Sequence, residues 1–225
     1  TVTSGKIRRN QPAMPVFFQH QINESTRLGI WKIEETEAFF KGNVPQHRDV
    51  THPHKRLQHL AGRFLLQYLF PDFPYEQILI AETRRPFLQD ERYHFSISHC
   101  GDYAAAIVSS SSRVGVDVEI PVPKILRISD KFLSREEHQL FDIPFSDRPF
   151  DHTASDNQLP TLLWSAKEAV FKWYGEGAVD FRQHILLKDI DRGSETIDCR
   201  FVKTGSNLQV HYRGFNGLVL AWVVS

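Results

Sequence analysis

Twice along this chain a helical hydrophobic period gives way to short alternating runs, and that order constrains the fold more than any other feature. Over residues 53–70, Leu57, Leu60, Ala61, Phe64, Leu65 and Tyr68 recur at helical spacing, and Pro71 ends the run. A second helical stretch over 162–174 is closed by Gly175 and Gly177. After the first helix come strands. Phe95 and Ile97 alternate with Ser96 and Ser98, a turn follows at 99–102, and 103–108 returns. Residues 114–120 alternate cleanly, so 95–120 is expected to be a three-strand meander. After the second helix, residues 185–223 read as short strands with turns at Gly193, Gly205 and Gly214. Ahead of all this lie strand signals over 14–33 and a short helix over 34–40. A further helix is expected over 131–141, where Ser134 and Glu137 have capping-box spacing. Residues 144–160 are polar and proline-bounded and read as a loop. The expected class is α+β, with two similar subdomains, a pseudo-dimer, each an antiparallel sheet packed with a long helix. The division falls at 1–113 and 114–225.

The chain has 225 residues, 41% of them hydrophobic and 17 of them Phe, enough to bury a substantial core. Basic and acidic residues balance at 27 each, so no overall field draws it to nucleic acid or to a membrane surface. Two cysteines, Cys100 and Cys199, offer no disulfide framework and suit a reducing compartment. No apolar run nears the roughly 20 residues that span a bilayer, and no leader-like apolar segment stands at the start. A cytoplasmic location is the expectation.

The sharpest chemical feature is Val114-Gly115-Val116-Asp117-Val118-Glu119. In a strand, the three valines face one way and Gly115, Asp117 and Glu119 the other. Two carboxylates about 7 Å apart on one face suit a hard cation that prefers oxygen ligands. Spacing alone equally fits the solvated face of an edge strand. A second feature is Trp164-Ser165-Ala166-Lys167-Glu168-Ala169-Val170-Phe171-Lys172. On a helix Trp164, Glu168 and Lys172 share one face, while Leu163, Ala166, Val170 and Trp173 form an apolar one. That pattern also fits an ordinary surface pair between Glu168 and Lys172. Ser98-His99 ends a strand, where the histidine can bind phosphate, act as a base or cap the turn. Arg84-Arg85-Pro86 presents guanidinium forks on a stiffened turn, suited to phosphate or to solvent.

Taken together and in this order, these segments closely resemble the signature of the 4'-phosphopantetheinyl transferase superfamily. The stretch from Phe95 through Tyr103, the Arg85-Pro86 pair and Lys131-Phe132-Leu133-Ser134-Arg135-Glu136-Glu137 resemble its larger, surfactin-synthetase-activator type. The resemblance spans about residues 55–174. It implies a monomer with coenzyme A in a cleft between two α+β halves, the metal site lying on the second. It implies Mg²⁺ held by Asp117, Glu119 and Glu168, with Glu119 acting through water. It places Lys172 at the reacting phosphate, Ser98 and His99 at the nucleotide's 3'-phosphate, and Arg85 on phosphate. Glu137 matches a family carboxylate near the site. Among Lys55, Arg56 and Arg63, Arg56 is the favoured nucleotide contact. Arg84 departs from the family, which has Gly there.

The implied reaction moves the phosphopantetheine arm of coenzyme A to a serine of an apo acyl or peptidyl carrier protein and releases 3',5'-ADP. Glu168 and Lys172 are the implied catalytic groups, with Glu168 or a metal-bound water as base. The carrier is expected to be acidic, with Lys131 and Arg135 one candidate surface for it. Two other readings remain at this point: a non-catalytic coenzyme A-binding regulatory module and a metal-dependent phosphohydrolase.

Overall fold

A computed structural model of the chain describes residues 16–44, 50–145 and 157–225. The elements run β1 (Val16–Gln21), β2 (Thr26–Lys32), α1 (Glu37–Lys41), α2 (Pro53–Leu69), β3 (Ile78–Ile80), β4 (Pro86–Leu88), β5 (His94–Cys100), β6 (Tyr103–Ser109) and β7 (Val114–Glu119). Then come α3 (Lys124–Arg127), α4 (Arg135–Leu140), α5 (Gln158–Tyr174), α6 (Phe181–His184), β8 (Ile185–Asp191), β9 (Thr196–Phe201), β10 (Ser206–Phe215) and β11 (Leu218–Val224). The expected loop over 144–160 lies mostly outside the described residues.

The class is α+β. One antiparallel sheet has the order β1-β2-β6-β5, a second β7-β11-β10-β9-β8, and β3-β4 is a small hairpin. Helix α2 packs on the first sheet, burying Leu60, Ala61, Leu65 and Leu66 with Trp31, Phe95 and Val108. Helix α5 packs on the second, burying Leu163, Ala166, Val170 and Trp173 with Phe201, Val210 and Val223. A third cluster joins the sheets, with Leu28, Ile30 and Ile107 meeting Val114, Val116, Val118 and Trp222. Each long helix therefore forms because its apolar stripe has a sheet to cover; helical propensity alone would leave it marginal.

The expected meander breaks after β6. Strand β6 is already paired on one side with β2 and on the other with β5, so no edge remains for β7. β7 instead pairs with β11, placing Asp117 opposite Ala221 and Gly115 opposite Val223. Its free edge lies along β5, the edge of the other sheet. There the Ser96 hydroxyl accepts from the Val116 N–H at 3.2 Å, and the Ser98 hydroxyl donates to Asp117 at 2.7 Å. Side chains replace a backbone ladder along this seam, and they come from the serine face of β5 that alternation identified.

The helix expected over 131–141 begins later, at Arg135. Ser134 is its N-cap: its hydroxyl accepts from the Glu137 N–H while the Glu137 carboxylate accepts from the Ser134 N–H. A capping residue has non-helical backbone, so it ends the preceding turn and cannot lie within one long helix.

Candidate active site

Strand β7 is buried on both faces. Its valines fill the layer between the sheets, and its Gly115–Asp117 face lies beneath α5. Asp117 is 2% exposed, which rules out the solvated-edge reading. Gly115 makes the close approach possible: a Cβ built there would fall 2.0 Å from the Ala169 carbonyl oxygen. Because α5 sits this low on β7, Lys172 reaches Asp117.

The Lys172 Nζ donates to Asp117 Oδ1 at 2.5 Å and to Ser98 Oγ at 2.9 Å, while Ser98 Oγ donates to the same Asp117 oxygen. Lys172 thus pairs with Asp117; Glu168, its neighbour one turn back, is not its partner in the described ion pairs. Trp164, a further turn back, donates its indole N–H to Glu119 Oε1 at 3.2 Å. The three positions read from sequence as one helix face therefore point at one strand.

Glu168 lies between these contacts. Burial pushes its carboxyl up to about 7; Lys172 opposes the rise, and the Asp117 and Glu119 carboxylates add to it. Glu119 is raised as well, by burial first and then by Asp117. Its neighbour Cys100, a thiol that donates to Glu119, is pushed up to about 11 by burial and then by that carboxylate. Three carboxylates thus feel one another across a poorly solvated space that holds one ammonium.

Among the described residues no three His, Cys, Asp or Glu side chains are placed so that they could hold a metal ion together. The arrangement nevertheless has the chemistry of a hard-cation site. Asp117 Oδ2 is buried with no hydrogen-bond partner, and Glu168 is too buried to hold its charge comfortably. An orphaned carboxylate oxygen beside two more carboxylates fits a divalent ion with oxygen ligands.

Two cavities flank this cluster. One, about 240 Å³, is lined by Thr83, Arg84, Arg85, Pro86, Ile97 and Lys172, among others. The other, about 180 Å³, is lined by His59, Arg63, Ile80, Arg84, Pro86, Ile97 and His99. Arg85 lies flat against the backbone of Gly175, where a Cβ would meet its Nη1 at 2.2 Å. Its buried Nε has no hydrogen-bond partner, and burial, then Arg113, hold its pKa below the usual arginine value.

Two of the expected residues make other contacts in the structure. Arg56 does not line either cavity: its fork grips Glu37 on α1 with two bonds of 2.8 Å, and its Nη1 donates to the Val50 and Thr51 carbonyls. Arg63, two helical turns on, is the basic residue of α2 that shares a cavity with His99. The signal available in the sequence was His59 at four residues before Arg63, a pair the structure joins at 3.1 Å. Glu137 is likewise away from the cluster. It is 2% exposed on the far side of α5, bonded to Lys167 Nζ at 2.7 Å and to the Leu187 N–H at 2.8 Å. Its role is to tie α4, α5 and β8 together.

The sequence of residues 113–223 matches the family described as the 4'-phosphopantetheinyl transferase superfamily. Among similar proteins, enterobactin synthase component D of Escherichia coli (strain K12) is 33% identical over 121 residues, which are 52% of this chain and 54% of that protein. The 4'-phosphopantetheinyl transferase psf-1 of Bacillus pumilus is 33% identical over 128 residues, 52% of this chain and 50% of that one. The 4'-phosphopantetheinyl transferase AcpT of Escherichia coli (strain K12) is 28% identical over 127 residues, 55% and 60% of the two chains. The chain spans about half the length of the curated relatives it matches. The matched segment contains β7, α5 and the strands that support them, and it is this segment, residues 113–223, that belongs to the 4'-phosphopantetheinyl transferase superfamily.

Proposed function

We propose that the protein transfers the 4'-phosphopantetheine group of coenzyme A to a serine of an apo acyl or peptidyl carrier protein, with Mg²⁺, and releases 3',5'-ADP. The observation that carries this reading is the Lys172–Asp117–Ser98 contact, with Glu168 and Glu119 in electrostatic range, beside two arginine-lined cavities. Asp117 and Glu168 would hold the Mg²⁺, and Glu119 would act through water. The ion supplies Lewis-acid stabilisation of charge on the pyrophosphate.

The chain's own residues do the rest. Arg85 and Lys172 line the cavity that takes the pyrophosphate, and Arg63 and His99 line the one that takes the nucleotide's 3'-phosphate. Ser98 steadies Lys172 from below. Glu168 accepts the proton of the carrier serine, whose oxygen bonds to the phosphorus next to pantetheine. The P–O bond to the second phosphate breaks, and its electron pair leaves with 3',5'-ADP. Lys172 neutralises the charge that develops there.

The reading takes residues 1–113 and 114–225 as two similar subdomains with the cleft between them. The partition of strands into two sheets supports this, as does a cavity lined by residues of both halves. It takes the protein to be a cytoplasmic monomer with no nucleic-acid or membrane partner. Both cysteines are free, and among the described residues no helix is long and apolar enough to cross a membrane.

The test is mass spectrometry of an apo carrier protein after incubation with coenzyme A, Mg²⁺ and the enzyme. A carrier heavier by one phosphopantetheine arm is the expected product. Unmodified carrier with free phosphopantetheine would identify a phosphohydrolase, and unmodified carrier with intact coenzyme A a binding module.

A further inference from the structure

The turn between β3 and β4 spans residues 81–85. The Arg84 N–H donates to the Ala81 carbonyl at 2.8 Å, and the Ala81 N–H donates to the Arg85 carbonyl at 2.9 Å. This is a three-residue hairpin loop whose last residue takes the left-handed conformation, a place that favours glycine. Here it is Arg84, with φ of 66°. A residue with a Cβ is disfavoured there, and such strain persists where the surroundings enforce it, often at a binding site.

The surroundings do enforce it. Thr83 Oγ1 donates to the Gly175 carbonyl at 3.3 Å, and Arg85 lies against Gly175 itself. The tip of the hairpin is thus fastened to the end of α5, three residues past Lys172. Among the described residues four other non-glycine positions have positive φ: Glu91, Asp142, Ala178 and Glu195. None of these lines either cavity beside the cluster, whereas Arg84 lines both and is the charged residue they share.

We propose that Arg84 is a further substrate-binding residue, reaching from the pyrophosphate cavity to close the basic pocket of Arg63, His59 and His99 around the ligand's remote phosphate. This rests on the transferase reading and adds a specificity residue to it. Glycine at this position would relax the backbone and lose the guanidinium. Binding and stability should therefore change in opposite directions, which a merely structural role would not produce.

The experiment compares the full-length wild type with Arg84→Gly, Arg84→Ala and Arg84→Lys, measuring melting temperature and calorimetric affinity for 3',5'-ADP and for 5'-AMP. Arg84→Gly is expected to melt no lower than wild type yet bind 3',5'-ADP about tenfold more weakly, the effect of losing one charge-assisted hydrogen bond at a partly solvated site. Arg84→Ala, which keeps the unfavourable backbone, should lose the same affinity, and Arg84→Lys should lose less. Affinity for 5'-AMP should change little. Wild-type affinity for 3',5'-ADP in the glycine and alanine variants would overturn the assignment, as would an equal loss for both nucleotides. Failure of the wild type itself to bind 3',5'-ADP would instead remove the transferase reading on which the assignment stands.

Discussion

Replacing Gly115 by Ala should be among the most damaging single-methyl additions in the protein. The new Cβ would lie 2.0 Å from the Ala169 carbonyl oxygen, 2.6 Å from the Trp173 backbone nitrogen and 2.9 Å from the Trp173 Cβ. All three atoms belong to the frame of α5, so no rotamer change relieves the contact. Strand β7 cannot retreat either, because Gly115 is paired with Val223 and the neighbouring valines are buried in the layer between the sheets. The helix must therefore move by roughly 1.5 Å to reach an ordinary van der Waals separation. Overpacking of this kind costs about 1–3 kcal/mol and sometimes more; with backbone as the obstacle, about 3 kcal/mol is expected. For a chain of this size that lowers the melting temperature by roughly 6–12 °C. The same movement lifts Lys172 from Asp117 and Ser98, so the protein still folded at 20 °C should transfer poorly. Differential scanning calorimetry and the carrier-modification assay read the two effects. Gly214→Ala is the control, since nothing lies within 4 Å of a Cβ built there. It should stay within about 0.5 kcal/mol of wild type. A Gly115→Ala protein that melts with wild type and transfers normally would refute the argument that close α5–β7 approach builds the site.

Asp117→Ala should fold, because Lys172 is 25% exposed and can hydrate once its partner is gone, but transfer should fall to background in the mass-spectrometric assay. Lys172→Ala should lower turnover by roughly 10²–10³-fold while changing coenzyme A affinity far less, a split that steady-state and binding measurements resolve. Lys167→Ala leaves the Glu137 carboxylate buried without its ammonium and should destabilise by about 3–5 kcal/mol in urea unfolding. Glu37 gives the pH test: its carboxyl is held down at about 2 by Arg56 and then Lys41, against an ordinary 4.5. A depressed acid stabilises the fold fully above pH 4.5 and loses that contribution as pH falls through about 2. Glu37→Gln should therefore melt below wild type at pH 7, and the gap should close as pH approaches 2.

Periodicity read along the chain recovers whatever depends on neighbours in sequence. Helices α2 and α5, the two faces of β7 and the Ser134–Glu137 capping box were all legible, because each is set by spacing of two to four residues. The partner of β7 was not. Alternation says that 114–119 is a strand, but pairing with β11, a hundred residues on, depends on both edges of β6 being taken. Arg56 and Arg63 lie two turns apart on the same helix, and the packing of α1 distinguishes them by setting Glu37 against Arg56. The positive φ of Arg84 was signalled only by the glycine that the resembled family has there, because arginine itself gives no sign of the backbone it must adopt.

The two lysines of α5 show how one local pattern divides into structure and chemistry. Lys167 and Lys172 both sit on the long helix, and both end on a carboxylate. An ammonium has three donors. Lys167 uses all of them, to Glu137 Oε2 and to the carbonyls of Phe181 and Ile185, at 2.7 to 2.9 Å, and is fully buried. Nothing remains for a ligand, and moving it would strand a buried charge. Lys172 spends two donors, on Asp117 and Ser98, and lines a cavity. Its carboxylate partner retains a buried oxygen with no hydrogen bond. Full satisfaction makes a lysine rigid and inert, and partial satisfaction leaves it able to exchange partners when an anionic ligand arrives. The helix turns by 100° per residue, so five residues put the two lysines on different sides of it. One side faces the packed core of the second sheet and the other faces the seam between the sheets, which is where the chemistry can occur.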